Sequence, residues 1–281
     1  MDVISDGRIV IDTEVDSTGA ERDVKSLSSK LTSMASNTLG AIAKTTATMV
    51  TVATGAVAAL TKVSIEQYAQ YEQLTGGVET LFKDSSDIVK KYADDAYKSA
   101  GLSANEYMST ITGFTASLLQ GLGGDTKKAA EIGNQAVIDM SDNANKMGTS
   151  MEMIQNAYQG FAKQNYTMLD NLKLGYGGTK EEMQRLLADA SKLSGVEYSI
   201  VNFSDIIEAI HVVQTELGIT GTTALEASTT IEGSFNSMKS AWTNLLTGMA
   251  DDNANFDVLV DNLVNSMSSF GQNLLPRVEI A

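Results

Sequence analysis

One pattern recurs along this chain and limits what it can fold into. A Ser or Thr is followed three residues later by Glu, then by an amphipathic run. Ser103 with Glu106, Thr179 with Glu182 and Thr223 with Glu226 each read as a capping box. Gly101, Gly148 and Gly218 stand where apolar periodicities end, the place where a left-handed residue closes a helix. Starts and stops this frequent argue against one continuous rod. They predict a mainly α chain whose helices fold back into a multi-helix bundle.

The faces of these helices follow from spacing. Residues 63–83 continue as helix through Ile65, Tyr68, Val78, Leu81 and Phe82, with Gly76-Gly77 as a weak point. Ser85 or Ser86 is placed to cap the next helix, which carries Ile88, Val89, Tyr92 and Ala96. Tyr107, Ile111, Phe114 and Leu118 form the buried side of another. Asp125 caps a longer one lined by Ile132, Ala136, Val137, Met140, Ala144 and Met147. VEYSIV after Gly195 reads as extended. Ser204 is then the expected cap of a helix holding Ile206, Ile207, Ile210, Val213 and Leu217. Ile231, Phe235, Met238, Trp242, Leu245, Leu246 and Met249 form the next apolar face. The last helix runs from Phe256 to Leu274 and is expected to end at Pro276.

The stretch Thr149–Leu187 is the expected centre. Met151, Ile154, Tyr158 and Phe161 share one helix face, and Met183, Leu186, Leu187 and Ala190 another. The loop between them carries Met168, Leu169, Leu172 and Leu174, too apolar for a solvated connection. These leucines are expected to be buried. Gly175, Gly177 and Gly178 are expected to hold the turn through backbone angles other residues avoid, with Thr179 opening the next helix. Asp170 and Asn171 are expected to bond to the loop's own backbone.

At the N-terminus, RIVIDTEV (residues 8–15) alternates like one short strand. Val24, Leu27, Leu31 and Met34 then fall at heptad spacing and mark an amphipathic core helix or a short coiled-coil start. The uncharged run 45–61 sits between Lys44 and Lys62, with Thr51, Gly55 and Ala59 as a small-residue stripe. It reads as a packed helix or as a conditional membrane segment. The organisation is therefore a strand and turn over 1–22 and a helical arm over 23–62. A compact helical core follows over 63–220, then a helical segment over 221–281.

Composition narrows the chemistry. The net charge of −15 suits a self-repelling surface and not phosphate-backbone binding. There is no cysteine and only one histidine, His211, so thiolate zinc sites, cysteine nucleophiles and Ser-His-Asp catalysis lack their parts. His211 reads as a packed helix residue. The adjacent pairs Asp94-Asp95 and Asp251-Asp252 point different ways on a helix. Residues 175–180, GYGGTK, lack phosphate-loop spacing. The expectation is a protein without catalysis, cofactor or metal.

The segment TMLDNLKLGYGGTKEEMQRLL (167–187) resembles the core motif of tail tape measure proteins from tailed phages and prophages of Gram-positive bacteria. DGRIVIDTEVDSTGAERDVKSLSSKL, YEQLTGGVETLF and TTALEASTTIEGSFNSMKSAWTNLLTGMAD resemble the opening, core entry and core end of such proteins, in that order. The resemblance implies a multi-copy virion protein that sets tail length and leaves the tube ahead of the DNA. It implies self-association and contact with tail-tube, chaperone and tail-tip proteins. It places the protein in the tail lumen after synthesis in the host cytoplasm. An alternative within the family is a membrane-active module that forms a path for DNA across the host membrane. Fully helical, the whole chain would reach about 420 Å. It therefore resembles the head and core of a longer ruler, continuing past Ala281.

Overall fold

The computed structural model describes residues 54–278. The strand expected at 8–15, the helix over Val24–Met34, Thr51 and most of the 45–61 run lie outside the described residues. Among the described residues every regular element is helical. No helix there is long and apolar enough to cross a membrane.

Helix α1, Thr54–Phe82, contains Gly55 and Ala59 of the small-residue stripe and passes through Gly76-Gly77 without a break. Its C-terminal half is its anchor: Val78 and Phe82 are fully buried, and Tyr71, Leu74 and Leu81 pack beside them. A single 3-10 turn, Lys83–Ser85, redirects the chain into α2, Ser86–Ser99. Ser85 stands at the N-cap position of this helix, but neither serine hydroxyl caps it, because that of Ser85 bonds instead to Thr126 Oγ1 at 3.0 Å. Gly101, at φ +64°, ends α2, and Leu102 N–H returns to the Ala96 carbonyl at 3.2 Å. Ser103 then opens α3, Ala104–Gly121, with both halves of the capping box formed. Asp125 caps α4, Thr126–Met147, by accepting from Lys128 N–H.

Helix α4 is the centre of the described residues, a role the sequence had assigned to the stretch after it. It touches α2, α3, α5 (Met151–Phe161) and α7 (Phe203–Glu216), and also α8 (Thr222–Thr229). Small residues make this possible. Ala129, Ala130 and Ala136 are fully buried, and a Cβ on Gly133 would stand only 3.0 Å from Ile111 Cδ1. Helix α6, Lys180–Ser194, pairs with α7. Residues 196–199 between them form no strand. Helix α7 begins at Phe203, one residue before the expected Ser204 cap. Its first turn is tied by Asp205, whose Oδ2 accepts Ser199 N–H at 2.9 Å.

The contiguous apolar core runs from Val78 to Ile219. Beyond it, α8, α9 (Ile231–Gly248) and α10 (Phe256–Val278) form a second layer. Residue 220 is nevertheless no break, because α8 packs on α2 and α4 and α9 packs on α2 and α3. The attachment is largely polar. Asn244 Oδ1 accepts Ala104 N–H at 2.8 Å, and Ser240 Oγ donates to the Gly101 carbonyl at 2.9 Å. Both bonds serve the chain between α2 and α3.

The apolar face read for α9 holds at its C-terminal half, where Leu245 and Leu246 are buried, and is corrected at its N-terminal half. Ile231 and Phe235 are exposed, while Ser234, Ser237, Ala241 and Asn244 are buried. Ser234 and Ser237 meet Asn273 and Ser266 of α10, while Ser240 and Asn244 face the first layer, whose helix ends offer hydrogen-bonding groups there. Pro276 does not stop α10, which continues to Val278.

Candidate functional site

The central loop leaves α5 at Phe161 and is shaped first by Asn165. Its Oδ1 accepts the N–H and hydroxyl of Thr167, at 3.1 and 2.8 Å. Tyr166 stacks on Phe161 with ring centres 6.3 Å apart, and its hydroxyl donates to the Ile200 carbonyl. A 3-10 turn, Leu169–Leu172, follows. Leu169, Leu172 and Leu174 are buried at 1%, 0% and 8% exposure. Met168 is exposed at 38%, because the turn directs alternate positions outward. At Asn171 the expected local side-chain bonding is replaced by a longer reach, while Asp170 accepts Lys173 N–H through its backbone carbonyl. Asn171 Nδ2 points to the Met153 carbonyl of α5, and the Asn171 carbonyl accepts Thr149 Oγ1 at 2.8 Å.

The three loop glycines act differently from one another. Only Gly175 has positive φ, at +87°. Gly178 is needed for space, because a Cβ there would collide with the Thr167 carbonyl. Gly177 meets neither condition: a Cβ would sit 3.5 Å from Glu182 Cγ, an ordinary contact. Thr179 caps α6 by accepting Glu182 N–H at 3.2 Å. The return half of the box is absent, because Glu182 Oε2 accepts from Gly177 N–H and pairs with Arg185 at 2.6 Å.

Arg185 is the outer clasp of this loop. It stacks over Tyr176 at 4.3 Å and donates to the Gly175 carbonyl at 2.7 Å. The guanidinium, with the Gly177 N–H, holds the Glu182 carboxyl below its ordinary pKa. Arg185→Ala should therefore speed hydrogen exchange at residues 175–177 while leaving the urea midpoint of the whole chain nearly unchanged. Exchange rates equal to wild type would show that the loop holds without the clasp.

Beneath the loop, α4 carries a polar row that periodicity did not single out. Asp139, Asp142 and Asn143 are each 0% exposed. Asn143 Nδ2 donates to the Leu172 carbonyl at 2.9 Å and so fixes the loop to α4. Asp142 binds the start of α8: Oδ2 accepts Gly221 N–H at 2.6 Å and Oδ1 accepts Thr223 N–H at 2.8 Å. The capping box expected at Thr223 and Glu226 thus does not form. Thr223 lies inside the helix, the cap comes from Asp142, and Glu226 accepts from Asn145. Burial pushes the Asp142 carboxyl upward in pKa, against those two N–H groups.

Asp139 faces His211, whose Nδ1 lies 2.9 Å from Oδ1, and Gln135 Nε2 donates to the same oxygen at 3.1 Å. The ionised carboxylate can only accept, so Nδ1 carries a proton. Burial raises the pKa of Asp139, and the bond to Asp139 raises that of His211. His211 also borders a groove of about 340 Å³ with Glu131, Tyr198 and Glu208. It is packed on its helix as expected, and in addition paired.

A histidine whose pKa rises on folding stabilises fully below its unfolded value of about 6.5. That contribution fades as pH climbs through the raised folded value. The raised Asp139 and Asp142 act with the same sign, favouring their protonated forms on folding. The melting temperature should fall from pH 6 to pH 9 in wild type and fall less in His211→Gln. Parallel curves would exclude His211 as the source.

Among the described residues no three His, Asp or Glu side chains stand together in a way that could hold a metal ion. No family model, curated protein or solved structure matches the chain. The arrangement is therefore read from its own geometry. Its polar groups bond loops and helix ends to α4. Spacing had brought out the leucines and glycines of the loop, but not Asp139, Asp142, Asn143 or Arg185.

Proposed function

We propose that this chain is a structural and assembly protein of a phage tail, a tape measure protein that sets tail length and is released during DNA ejection. The observation that carries the reading is the order of the four resembling segments, Asp6–Leu31, Tyr71–Phe82, Thr167–Leu187 and Thr222–Asp251. The geometry supports it in one respect. The central segment is built into the fold by buried leucines and by bonds from Asn143 and Thr149, as an assembly element would be.

In this reading the protein works by multi-copy self-association in the tail lumen, with tail-tube, chaperone and tail-tip proteins as partners. Residues 54–278 act in it as a folded assembly unit. Peptides from 54–278 should be recovered from purified virion tails. In-frame deletions or insertions in the gene should shorten or lengthen the tail in proportion, as seen by electron microscopy. Tails of unchanged length that also lack these peptides would overturn the proposal.

A further inference from the structure

Two fully buried carboxylates, Asp139 and Asp142, stand three residues apart on one side of α4. Among the described residues neither pairs with a lysine or an arginine. The cation beside them is His211, in contact with Asp139 and near enough to Asp142 to act on its charge. With His211 protonated the cluster carries one net negative charge, and with His211 neutral it carries two. A second buried charge without a counterion is costly in a low-dielectric interior.

The two carboxylates hold different parts of the fold. Asp139 bonds to His211 of α7, inside the first layer. Asp142 accepts the Gly221 and Thr223 N–H groups, where the second layer begins. Lifting α8 from α4 gives Asp142 access to water, while Asp139 stays between α4 and α7.

His211 meets solvent where the carboxylates do not. Its side chain is 32% exposed, on the groove between α4 and α7. Asp139 holds the proton on Nδ1, so the proton exchanged with water is the one on Nε2. Glu131 of α4, Glu208 of α7 and Tyr198 of the α6–α7 connection face it along the groove. On the buried side Tyr158 of α5 faces Asp139, and burial keeps that phenol neutral. Helices α3 and α6 also pack on α7, yet the charges that act on His211 are those of Asp139 and Asp142.

We propose that the proton on His211 latches the second layer, α8–α10, to the first. While the imidazolium offsets one of the two buried charges, α8 stays on Asp142. Once His211 is neutral, the uncompensated pair favours the opening that solvates Asp142, and α8, α9 and α10 lift from α4 together. The bond to Asp139 raises the folded pKa of His211, so the latch releases above the ordinary value of about 6.5. Overall stability also falls with pH, but the latch puts the loss first in α8–α10. The inference rests on this cluster alone and does not depend on the tail reading.

Native-state hydrogen exchange of the full chain at pH 6 and pH 8.5, corrected for intrinsic exchange chemistry, compares the opening of α8–α10 with that of α3 and α4. In wild type the opening constant of α8–α10 should rise about tenfold, the factor given by a coupling of about one pKa unit, and that of α3 and α4 should rise less. His211→Gln keeps a donor for Asp139 but has no titrating proton, and it should remove the rise. Linkage requires the reverse effect as well. His211 is the only histidine, so its imidazole resonances report its pKa directly. Asp142→Asn, which removes the charge and keeps an acceptor for α8, should lower that pKa.

Thermal melts check that both variants fold, and the wild-type comparison between layers decides alone where one does not. An equal rise in all helices, a rise that persists in His211→Gln, or a His211 pKa unchanged in Asp142→Asn overturns the proposal.

Discussion

Replacing Asp142 by alanine lowers the stability of the folded chain by about 3 kcal/mol, and the loss falls first on α8, α9 and α10. The carboxylate is fully buried and accepts both Gly221 N–H and Thr223 N–H. Alanine leaves those two donors without acceptors at the first turn of α8, each at a cost of about 1–3 kcal/mol. The charge itself is not the stabilising element, since burial already pushes the pKa of this carboxyl upward. What α8 requires is a pair of acceptor atoms.

Asp142→Asn retains one acceptor and should lose about half as much. Urea unfolding followed by circular dichroism gives the size of each loss, and native-state hydrogen exchange gives its location. The second layer is held to the first through polar bonds, with Ser240, Asn244 and Glu226 among its other ties. Amides of α8–α10 should therefore exchange well before those of α3 and α4 in the alanine variant. An unchanged urea midpoint, or exchange rising uniformly over all helices, would refute this.

The helical character of the chain was legible because local signals agreed. Ser103 and Glu106 form the full box that their spacing predicts, and Gly101, Gly148 and Gly218 all take positive φ. The buried faces of α3 and α4 follow their three-and-four periodicity, with Tyr107, Ile111, Leu118 and Met140 at 0% exposure.

What periodicity missed are contacts made across the chain. Asp142 lies 79 residues from the N–H group it takes at Gly221, and Asp139 lies 72 from His211. A buried carboxylate on a helix face looks in sequence like any solvated one. Thr223-Glu226 and Ser204 have local cap chemistry, yet α8 starts one residue before Thr223, with Asp142 accepting Gly221 N–H and Thr223 N–H, and α7 starts before Ser204, with Asp205 accepting Ser199 N–H. On α9 the error ran the other way. Hydrophobicity placed Ile231 and Phe235 inside, whereas the neighbouring helix ends favour Ser240 and Asn244 there.

The same distinction between local angle and distant contact sets the second large effect. Gly178→Val should cost about 3 kcal/mol or more, and Gly178→Ala most of that. The obstacle is the Thr167 carbonyl, a backbone atom held by the Asn165 turn and by the buried Leu169 two residues on. A flexible side chain could swing away from a new methyl, but this carbonyl moves only if the loop lifts off α4. Gly175→Ala has open space around it and pays only for φ of +87°, about 1 kcal/mol. Gly177→Ala has neither obstacle and should stay within about 0.5 kcal/mol of wild type. The order of urea midpoints should therefore be Gly177→Ala, Gly175→Ala, then Gly178→Ala lowest. Equal losses at all three would mean that the turn depends on glycine angles throughout. A loss at Gly177 matching that at Gly178 would remove the close approach to Thr167 as the reason the loop stays packed.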